Sequence, residues 1–432
     1  MNTARANQPS SFYRWTVLVI ISIAMFGNYY VYDSIAPIAD LLKEGIGLSD
    51  EQYGLLYTAY SIAAVIVLLI GGVIIDRIGT APSTMLFGAI CTVSGILMAV
   101  TDDFTVMLAA RFLLGVGAEP LIVAVTTALA KWFKGKELSF AFGINLTIAR
   151  LGSVAADNSP SWAAPYFGSW QGPLTVAAVI SACCVIGALG YWILEYFASR
   201  RYTLGEAGEM DRLVLSDLFR FDRTFWFIVA LCVTFYAAVF PFRAFAPKFF
   251  IEAHGVTREF AGALQSVLPT AALFATPLFG LLVDRVGKRA LFMMGGAFLM
   301  MPVYLMMAYT TLPLWIPIGM LGIAFSLIPA VMWPSVAYIV SQHRLGTAYA
   351  VMTLVQQIGV AGMTWLIGRT NDLAAAGEAN PEGYIPGMWI FSVLGISAVL
   401  FAFLLRRAET GPHAHGLETI TTKSQAAPAT ES

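Results

Sequence analysis

Charged residues are scarce in this chain. Asp, Glu, Lys and Arg make up only 12% of its 432 residues, whereas hydrophobic residues make up 58%. A soluble chain carries about 25% charged residues, and it needs them because its surface must be hydrated. The composition therefore excludes a water-soluble globular protein and predicts one that is embedded in a membrane.

Cysteine and histidine are also rare, with four of each. The cysteines lie in apolar runs without the spacing of a zinc site or of a disulfide framework. No Ser/Lys, Asp/Asp or His/Glu set falls at the middle of a long apolar segment. We therefore predict no metal, no cofactor and no enzymatic activity. The net charge of -1 likewise provides no basic surface for nucleic acid.

Long hydrophobic runs are abundant, and a helix of about 20 such residues crosses a bilayer. Twelve segments qualify, at residues 15–38, 51–76, 81–100, 104–131, 137–165, 171–199, 223–250, 258–284, 288–309, 312–341, 344–372 and 384–406. The first is too long for the core of a signal peptide, so we interpret it as a true span. The predicted fold class is an all-α membrane protein with twelve transmembrane helices.

The Lys and Arg residues of the loops indicate the orientation, because cytoplasmic loops carry an excess of them. With the N-terminus inside, the outer loops hold only Lys43, Lys248, Arg258 and Arg369. We expect a multi-pass protein of the cell (inner) membrane with both termini in the cytoplasm.

A polar interruption divides the chain into two parts. Residues 200–222 are predicted to be a cytoplasmic linker between two six-helix halves, residues 1–199 and 223–407. Residues 408–432 are polar and rich in Thr, Ala and Ser, and we predict a disordered cytoplasmic tail there.

The two halves share a loop motif. The sequence GGVIIDRIGT at 71–80 corresponds to FGLLVDRVGK at 279–288, and Asp76 and Arg77 align with Asp284 and Arg285. We predict that these four residues form latches that hold one conformation of an inner gate. The alternative is a simple turn whose positive charge only reflects the orientation in the membrane.

The span count, the central linker and the paired loops resemble the major facilitator superfamily over essentially the whole chain. The resemblance implies two six-helix bundles, a substrate cavity between them near the bilayer midplane, and alternating access by rocking of the bundles. Thr80 departs from the family pattern, which usually has a basic residue at this position, whereas Lys288 keeps the base in the second copy.

Two opposite charges stand at one depth in the fourth and fifth spans. Glu119 lies 15 residues before Lys134, in the turn between these spans, and Arg150 lies 16 residues after it. At 1.5 Å per residue, both stand about 22–24 Å from the turn, close to the membrane centre. Ionisable residues at this depth are costly, and they indicate a functional site by default.

The repeat adds an asymmetry to this pair. Glu119 aligns with Ser326 and Arg150 with Gln357, so only the first half carries the charges. A carboxylate and a guanidinium at one depth suit a zwitterion, because the Arg can grip a carboxylate while the Glu holds an ammonium. The alternative is a permanent salt bridge that only fixes helix packing.

Other polar and aromatic residues extend the candidate site. Arg111, in the fourth span, resembles a family Arg that precedes Gly-x-Gly; it is assigned to gating, with Asp33 as a possible partner, or it forms a helix–helix ion pair. The remaining substrate-binding candidates, which could instead serve in packing, are Tyr29, Tyr57, Tyr236, Phe240, Gln265, Trp333, Gln356 and Gln357.

Four stretches resemble a narrower group, the major facilitator superfamily domain-containing protein 1 group of lysosomal dipeptide uniporters. They are residues 131–153, 239–250, 279–288 and 332–352. In that group a Glu of the fourth span and an Arg of the fifth span hold the two termini of a dipeptide, and Glu119 and Arg150 fall on these positions. The N-terminal arm has no acidic dileucine signal of the lysosomal type. This departure from the lysosomal group favours a bacterial homologue, for which we expect no obligate protein partner and a monomeric state.

The function predicted is transport of dipeptides across the lipid bilayer by alternating access, as a uniporter. The first span lacks the Glu-x-x-Glu-Arg pattern of proton-coupled peptide symporters, which favours uniport. Two alternatives stay open at this stage. One is a proton-coupled transporter of organic anions, other metabolites or drugs, and the other is a membrane sensor that transports nothing.

Overall fold

A computed structural model describes residues 9–68, 70–133, 137–202, 220–412 and 414–421. By its internal contacts the chain forms two units, Met1–Met210 and Asp211–Ser432. The boundary between them falls within the predicted linker. Most of that linker, residues 203–219, lies outside the described residues, as do Lys134 and Lys136 of the turn between the fourth and fifth spans.

The described residues are mainly helical in both units. The first unit contains α1 Ser11–Asp33, α2 Ala39–Ile46, α3 Asp50–Leu68, α4 Gly71–Ile78, α5 Thr80–Val100, α6 Phe104–Phe133, α7 Leu138–Asp157, α8 Ser159–Trp162 and α9 Gln171–Ser199. The second unit contains α10 Arg223–His254, α11 Arg258–Val286, α12 Arg289–Met300, α13 Val303–Tyr309, α14 Trp315–Ile339, α15 Leu345–Leu373 and α16 Ile385–Glu409.

The helices provide enough apolar length to cross a membrane many times. Within the described residues, 11 helical segments are long and apolar enough, and α3 with α4, bent by 54°, makes up to 12. The prediction of an all-α membrane protein is confirmed. Large aliphatic and aromatic side chains such as Val179, Phe274 and Leu373 are exposed in each unit, as expected for helices that face lipid.

Close helix approaches determine where the charged side chains of the first unit lie. In this unit α1 packs against α7 and α9, and α3 packs against α6. A Cβ atom on Gly152 of α7 would lie 2.3 Å from the Phe26 carbonyl oxygen of α1, and one on Gly115 of α6 would lie 2.3 Å from the Tyr60 carbonyl oxygen of α3. Because glycine has no side chain, these backbones can come together. Residues on α1 and α3 are thereby brought next to residues on α6 and α7.

Proline interrupts the hydrogen bonding of several helices near candidate residues. Pro120 lies inside α6, directly after Glu119, and Pro329 and Pro334 lie inside α14, on either side of Trp333. Proline lacks an N–H and removes one helical hydrogen bond. In a membrane helix such bonds are replaced by neighbouring groups, and the helix can bend at these points.

The end of the chain differs from the prediction of a disordered tail at 408–432. Helix α16 continues to Glu409, and the backbone amides of Lys288 and Arg289 donate hydrogen bonds to the carbonyls of Glu418 and Leu417, at 3.2 and 3.0 Å. Leu417 is fully buried. A polar composition does not reveal such contacts, because they depend on free amides at the start of another helix. Residues 422–432 lie outside the described residues.

The close approach at Gly152 leads to a test of the packing. Gly152→Ala should force the backbones of α1 and α7 apart and lower the free energy of unfolding by about 1–3 kcal/mol. Gly143→Ala, on the same helix, is the matched control, because a Cβ at Gly143 would meet nothing within 4 Å. Thermal melting of the two variants in detergent measures the difference, and equal melting temperatures would contradict the packing described here.

Candidate functional site

Two helices of the first unit carry the charges that were predicted at mid-membrane. Glu119 lies on α6 and Arg150 on α7, and both residues are half-buried. The hydroxyl of Tyr60, on α3, donates a hydrogen bond to Oε1 of Glu119 at 2.9 Å. The guanidinium carbon of Arg150 lies 5.6 Å from the centroid of the Tyr29 ring, on α1. Each charge therefore has a tyrosine neighbour from another helix.

Tyr29 brings the two charges to one place. The charges of Arg150, Glu119 and Asp33 all act on its hydroxyl. Tyr29, which the sequence analysis had proposed apart from the pair Glu119 and Arg150, thus lies beside this pair. We call Tyr29, Tyr60, Glu119 and Arg150 the charged cluster.

The charged cluster has the properties needed to bind a charged solute within a membrane helix bundle. A single ionised side chain at this depth costs at least about 2.5–3.5 kcal/mol. The bond from Tyr60 to Glu119 and the ring of Tyr29 beside Arg150 offset part of this cost. Both charged residues are half-buried and not fully enclosed, so part of each side chain stays accessible.

Arg111 lies in a separate aromatic environment beside the cluster. It is 2% exposed, and its guanidinium carbon lies 4.9, 5.4 and 5.9 Å from the ring centroids of Tyr57, Tyr32 and Tyr60. Its Nη1 atom donates to the carbonyls of Val31 and Tyr32 at 3.4 and 3.3 Å. Among the described residues, Nε and Nη2 have no hydrogen-bond partner, so the tyrosine faces provide much of the compensation for this buried charge.

Two of the three tyrosines of α3, Tyr57 and Tyr60, have different surroundings. Tyr57, a predicted binding residue, faces Arg111, whereas Tyr60 faces Arg111 and also bonds to Glu119. The sequence analysis did not select Tyr60. The signal that could have identified it is its spacing of three residues from Tyr57, which places both on one face of a helix.

Three aromatic candidates of the second unit also lie together. The indole nitrogen of Trp333 donates a hydrogen bond to the Tyr236 hydroxyl at 3.0 Å, and the rings of Tyr236 and Phe240 are 5.6 Å apart. Tyr349, which the sequence analysis missed, donates to the Trp333 carbonyl at 3.3 Å, and its ring lies 5.9 Å from that of Trp333. Tyr349 lies one helical turn after Leu345, within a stretch that resembles the dipeptide uniporter group.

The three glutamine candidates have different environments. Gln265 is 2% exposed and donates to the Arg243 carbonyl at 2.7 Å, so this contact links α10 to α11. The Gln356 side-chain oxygen lies 3.9 Å from the Cys232 thiol. Gln357 is half-buried on the same helix as Gln356. The hydrogen bond from Gln265 to Arg243 thus contributes to helix packing. A role of the three glutamines in substrate binding stays a prediction.

The two signature loops use different charged contacts. Asp76 and Arg77 are exposed, and so are Asp284 and Arg285. Asp284 accepts a hydrogen bond from Arg289, at 2.7 Å. The latch role of these four residues stays a prediction.

In the first signature loop Thr80 stands at the position where the family usually has a basic residue. Thr80 is buried, contacts the Tyr191 hydroxyl at 2.9 Å, and donates to the Glu195 carboxylate at 3.2 Å. Lys131, on α6, forms an ion pair with the same carboxylate. The cation that Thr80 cannot provide is therefore supplied by a different helix.

The described part of the chain contains no group of three or more His, Cys, Asp or Glu residues that could hold a metal ion.

The chain is similar to known transporters along most of its length. The sequence model of the Major Facilitator Superfamily matches residues 21–364. The lysosomal dipeptide transporter MFSD1 of Danio rerio is 32% identical over 411 residues, which cover 91% of this chain and 86% of that protein. The protein of the same name from Homo sapiens is 30% identical over 418 residues, covering 92% and 88%.

A solved structure shares the fold. The bacterial homolog to the human lysosomal transporter Spinster, in an inward-facing and occupied conformation, matches with a TM-score of 0.74 at 18% identity, covering 92% of this chain and 98% of that one. The predicted fold class is thereby confirmed, as is the resemblance that the sequence motifs carried.

The ion pair at the first loop leads to a stability test. Lys131→Met should leave Glu195, whose side chain is 12% exposed, without its cation, and should lower the free energy of unfolding by about 1–3 kcal/mol. The control is Arg407→Met, because Arg407 lies at an exposed position near the end of α16, where a substitution usually changes stability by no more than about 0.5 kcal/mol. Thermal melting compares them, and an equal effect of both variants would show that the Lys131 pair adds no special stability.

Proposed function

The chain belongs to the major facilitator superfamily and is therefore a secondary transporter, and we propose that it transports dipeptides, which the charged cluster holds by their two charged ends. The observation that carries this proposal is the placement of Glu119 and Arg150 on two contacting helices, with Glu119 bonded to Tyr60 and Arg150 against the ring of Tyr29. The likeness to the lysosomal dipeptide transporters supports it.

Each end of a dipeptide has a matching group in the cluster. Arg150 presents a planar pair of N–H donors that fits a carboxylate. Glu119 uses Oε1 to accept the Tyr60 hydroxyl, and its remaining lone pairs bind the peptide ammonium. Because the substrate brings one charge of each sign, binding leaves the net charge of the site unchanged, which keeps the cost of burying it low.

Recognition by the two ends determines which solutes are accepted. An extended peptide covers about 3.3–3.6 Å per residue, so a dipeptide separates its charges by about 7 Å and a single amino acid by about half that distance. The side chains of the peptide are not gripped by either charge. We therefore infer broad acceptance of dipeptide side chains and weak acceptance of single amino acids or of peptides with blocked ends.

The transport cycle is alternating access with uniport. Movement follows the peptide gradient, and the opposite charges of Glu119 and Arg150 satisfy one another or water when the site is empty. The protein acts as a monomer in the inner membrane with both termini in the cytoplasm. The distribution of Lys and Arg in the loops supports this orientation.

Counterflow of a labelled dipeptide in proteoliposomes tests the proposal. Glu119→Gln and Arg150→Ala should each reduce uptake about 30-fold or more, because removal of one partner from a buried, hydrogen-bonded charge pair costs about 2–5 kcal/mol. Arg407→Ala, at an exposed position near the end of α16, is the control and should retain uptake. Uptake by Arg150→Ala at the rate of the control would rule out the dipeptide assignment.

Two further arms of the same experiment separate the alternatives. A pH gradient imposed in either direction should leave the initial rate of uptake unchanged, and stimulation by an inward proton gradient would instead indicate proton coupling. Organic anions and lipophilic cations should not compete with the labelled dipeptide. If no solute crosses the vesicle membrane although a dipeptide raises the melting temperature, the protein is a sensor and not a carrier.

A further inference from the structure

Glu119 receives a hydrogen bond from a residue that is itself fixed by its neighbours. The Tyr60 hydroxyl lies 2.9 Å from Oε1 of Glu119, and Tyr60 itself is only 6% exposed. Its ring lies 4.7 Å from the ring of Tyr32 in an edge-on arrangement, and 5.9 Å from the guanidinium carbon of Arg111. A side chain held on two sides in this way cannot easily turn away from the carboxylate.

The contacts of Tyr60 have a chemical consequence for Glu119. The bond from Tyr60 fixes the orientation of the Glu119 carboxylate through Oε1. The positive charge of Arg111 next to the tyrosine ring draws electron density from it, so the hydroxyl becomes a better donor. Both effects favour a single orientation of the Glu119 carboxylate.

We propose that Tyr60 is the positioning residue for the amino-terminal end of the substrate, and that Arg111 acts on binding through it. This inference rests on the proposed function, since it assumes that Glu119 holds the peptide ammonium. Tyr60 does not touch the substrate. It holds the Glu119 carboxylate in the orientation that the substrate meets.

The variant Tyr60→Phe tests this role while keeping the ring that packs against Tyr32 and Arg111. Loss of one hydrogen bond to a charged group should raise the KM for dipeptide uptake about tenfold or more, with little change in the maximal rate. Discrimination between a free dipeptide and its N-acetylated form should fall, because the carboxylate is no longer aimed at the ammonium. A merely structural tyrosine would not change this selectivity.

A matched control exists on the same helix. Tyr53 is 2% exposed, and its hydroxyl donates to the Ile35 carbonyl at 3.2 Å, so Tyr53→Phe removes a buried bond of similar kind away from Glu119. It should alter the melting temperature without changing KM or selectivity. In the Glu119→Gln background, Tyr60→Phe should have no additional effect on binding, because the two residues act as one unit.

The outcomes separate this inference from the proposed function. If Glu119→Gln abolishes uptake but Tyr60→Phe behaves like Tyr53→Phe, the positioning role is wrong and the dipeptide assignment stands. If Glu119→Gln leaves uptake and selectivity unchanged, the dipeptide assignment itself fails. A drop in the maximal rate of Tyr60→Phe at constant KM also contradicts a positioning role in binding.

A second, independent observation concerns the end of the chain. We call residues 414–421 the strap. Its Glu418 accepts hydrogen bonds through the side-chain carboxylate from the amides of Ala290 and Leu291, at 2.9 and 3.3 Å. Its Ile420 carbonyl accepts from Nη1 of Arg289 at 2.7 Å. The strap therefore caps the start of α12, where the first helical amides have no acceptor within their own helix.

The strap also joins elements that are distant in sequence. The His415 ring lies 2.9 Å from Glu409, at the end of α16, and 3.1 Å from Asp222, at the start of α10. Arg289, which the strap binds, pairs with Asp284 of the second signature loop. One short segment thus ties together the beginnings of α10 and α12 and the C-terminal ends of α11 and α16.

We infer that the strap restrains the second signature loop and slows the conformational cycle of the transporter. Any rearrangement that moves these helix ends relative to one another has to break several of its bonds. The strap is part of this chain, so the restraint is present in every molecule and is independent of a partner.

Leu417→Asp tests the strap, because a charge at this fully buried position should undock it. The amides of residues 288–291 should then exchange with deuterium about tenfold faster, and the maximal rate of dipeptide counterflow should rise at unchanged KM. Ala414→Asp, which places the same charge at an exposed position of the strap, should change neither quantity. Equal exchange in both variants would show that the strap does not protect the loop, and faster exchange with an unchanged transport rate would show that it is not a restraint on transport.

Discussion

The cost of placing charge in the bilayer interior governs the first unit of this transporter. An ionised side chain there is tolerated only with compensation from its neighbours, and tyrosines from α1 and α3 provide that compensation. Tyr29 lies beside Arg150, Tyr60 bonds to Glu119, and three tyrosine rings surround Arg111. Glycines at the helix contacts are what allow these tyrosines to come close enough.

This arrangement gives the two arginines Arg111 and Arg150 different surroundings. Arg111 is buried, surrounded by rings and carbonyls, and belongs to the permanent framework of the unit. Arg150 is half-buried, and its guanidinium lies over the ring of Tyr29. A guanidinium that is partly exposed can exchange its partners, whereas one that is buried cannot do so without a large energetic loss. The same residue type is thus fully enclosed at one position and partly accessible at the other.

The internal repeat shows a similar separation of roles. The two signature loops share their Asp-Arg-x-Gly motif, but the first is supported by Thr80, Lys131 and Glu195, and the second by Arg289 and the end of the chain. In each loop a cation from a neighbouring segment lies next to a carboxylate. The motif thus occurs where the ends of neighbouring helices are held together, and the residues around it determine which contacts hold them.

The sequence by itself determined the class of protein and most of its spans, because hydrophobic length is a local property. From the helical rise it also predicted a common depth for Glu119 and Arg150, and it proposed Tyr29 among the aromatic residues that could line a binding site. It did not select Tyr60 over Tyr57, because three residues of spacing on one helix place both on the same face.

Only the tertiary structure decided between these tyrosines, through the close contact of α3 with α6. It also decided that the chain end docks on α12, since free amides at a helix start become binding partners only when the chain returns to them. Local pattern specifies which side chains are available, whereas the packing of distant helices specifies which of them meet.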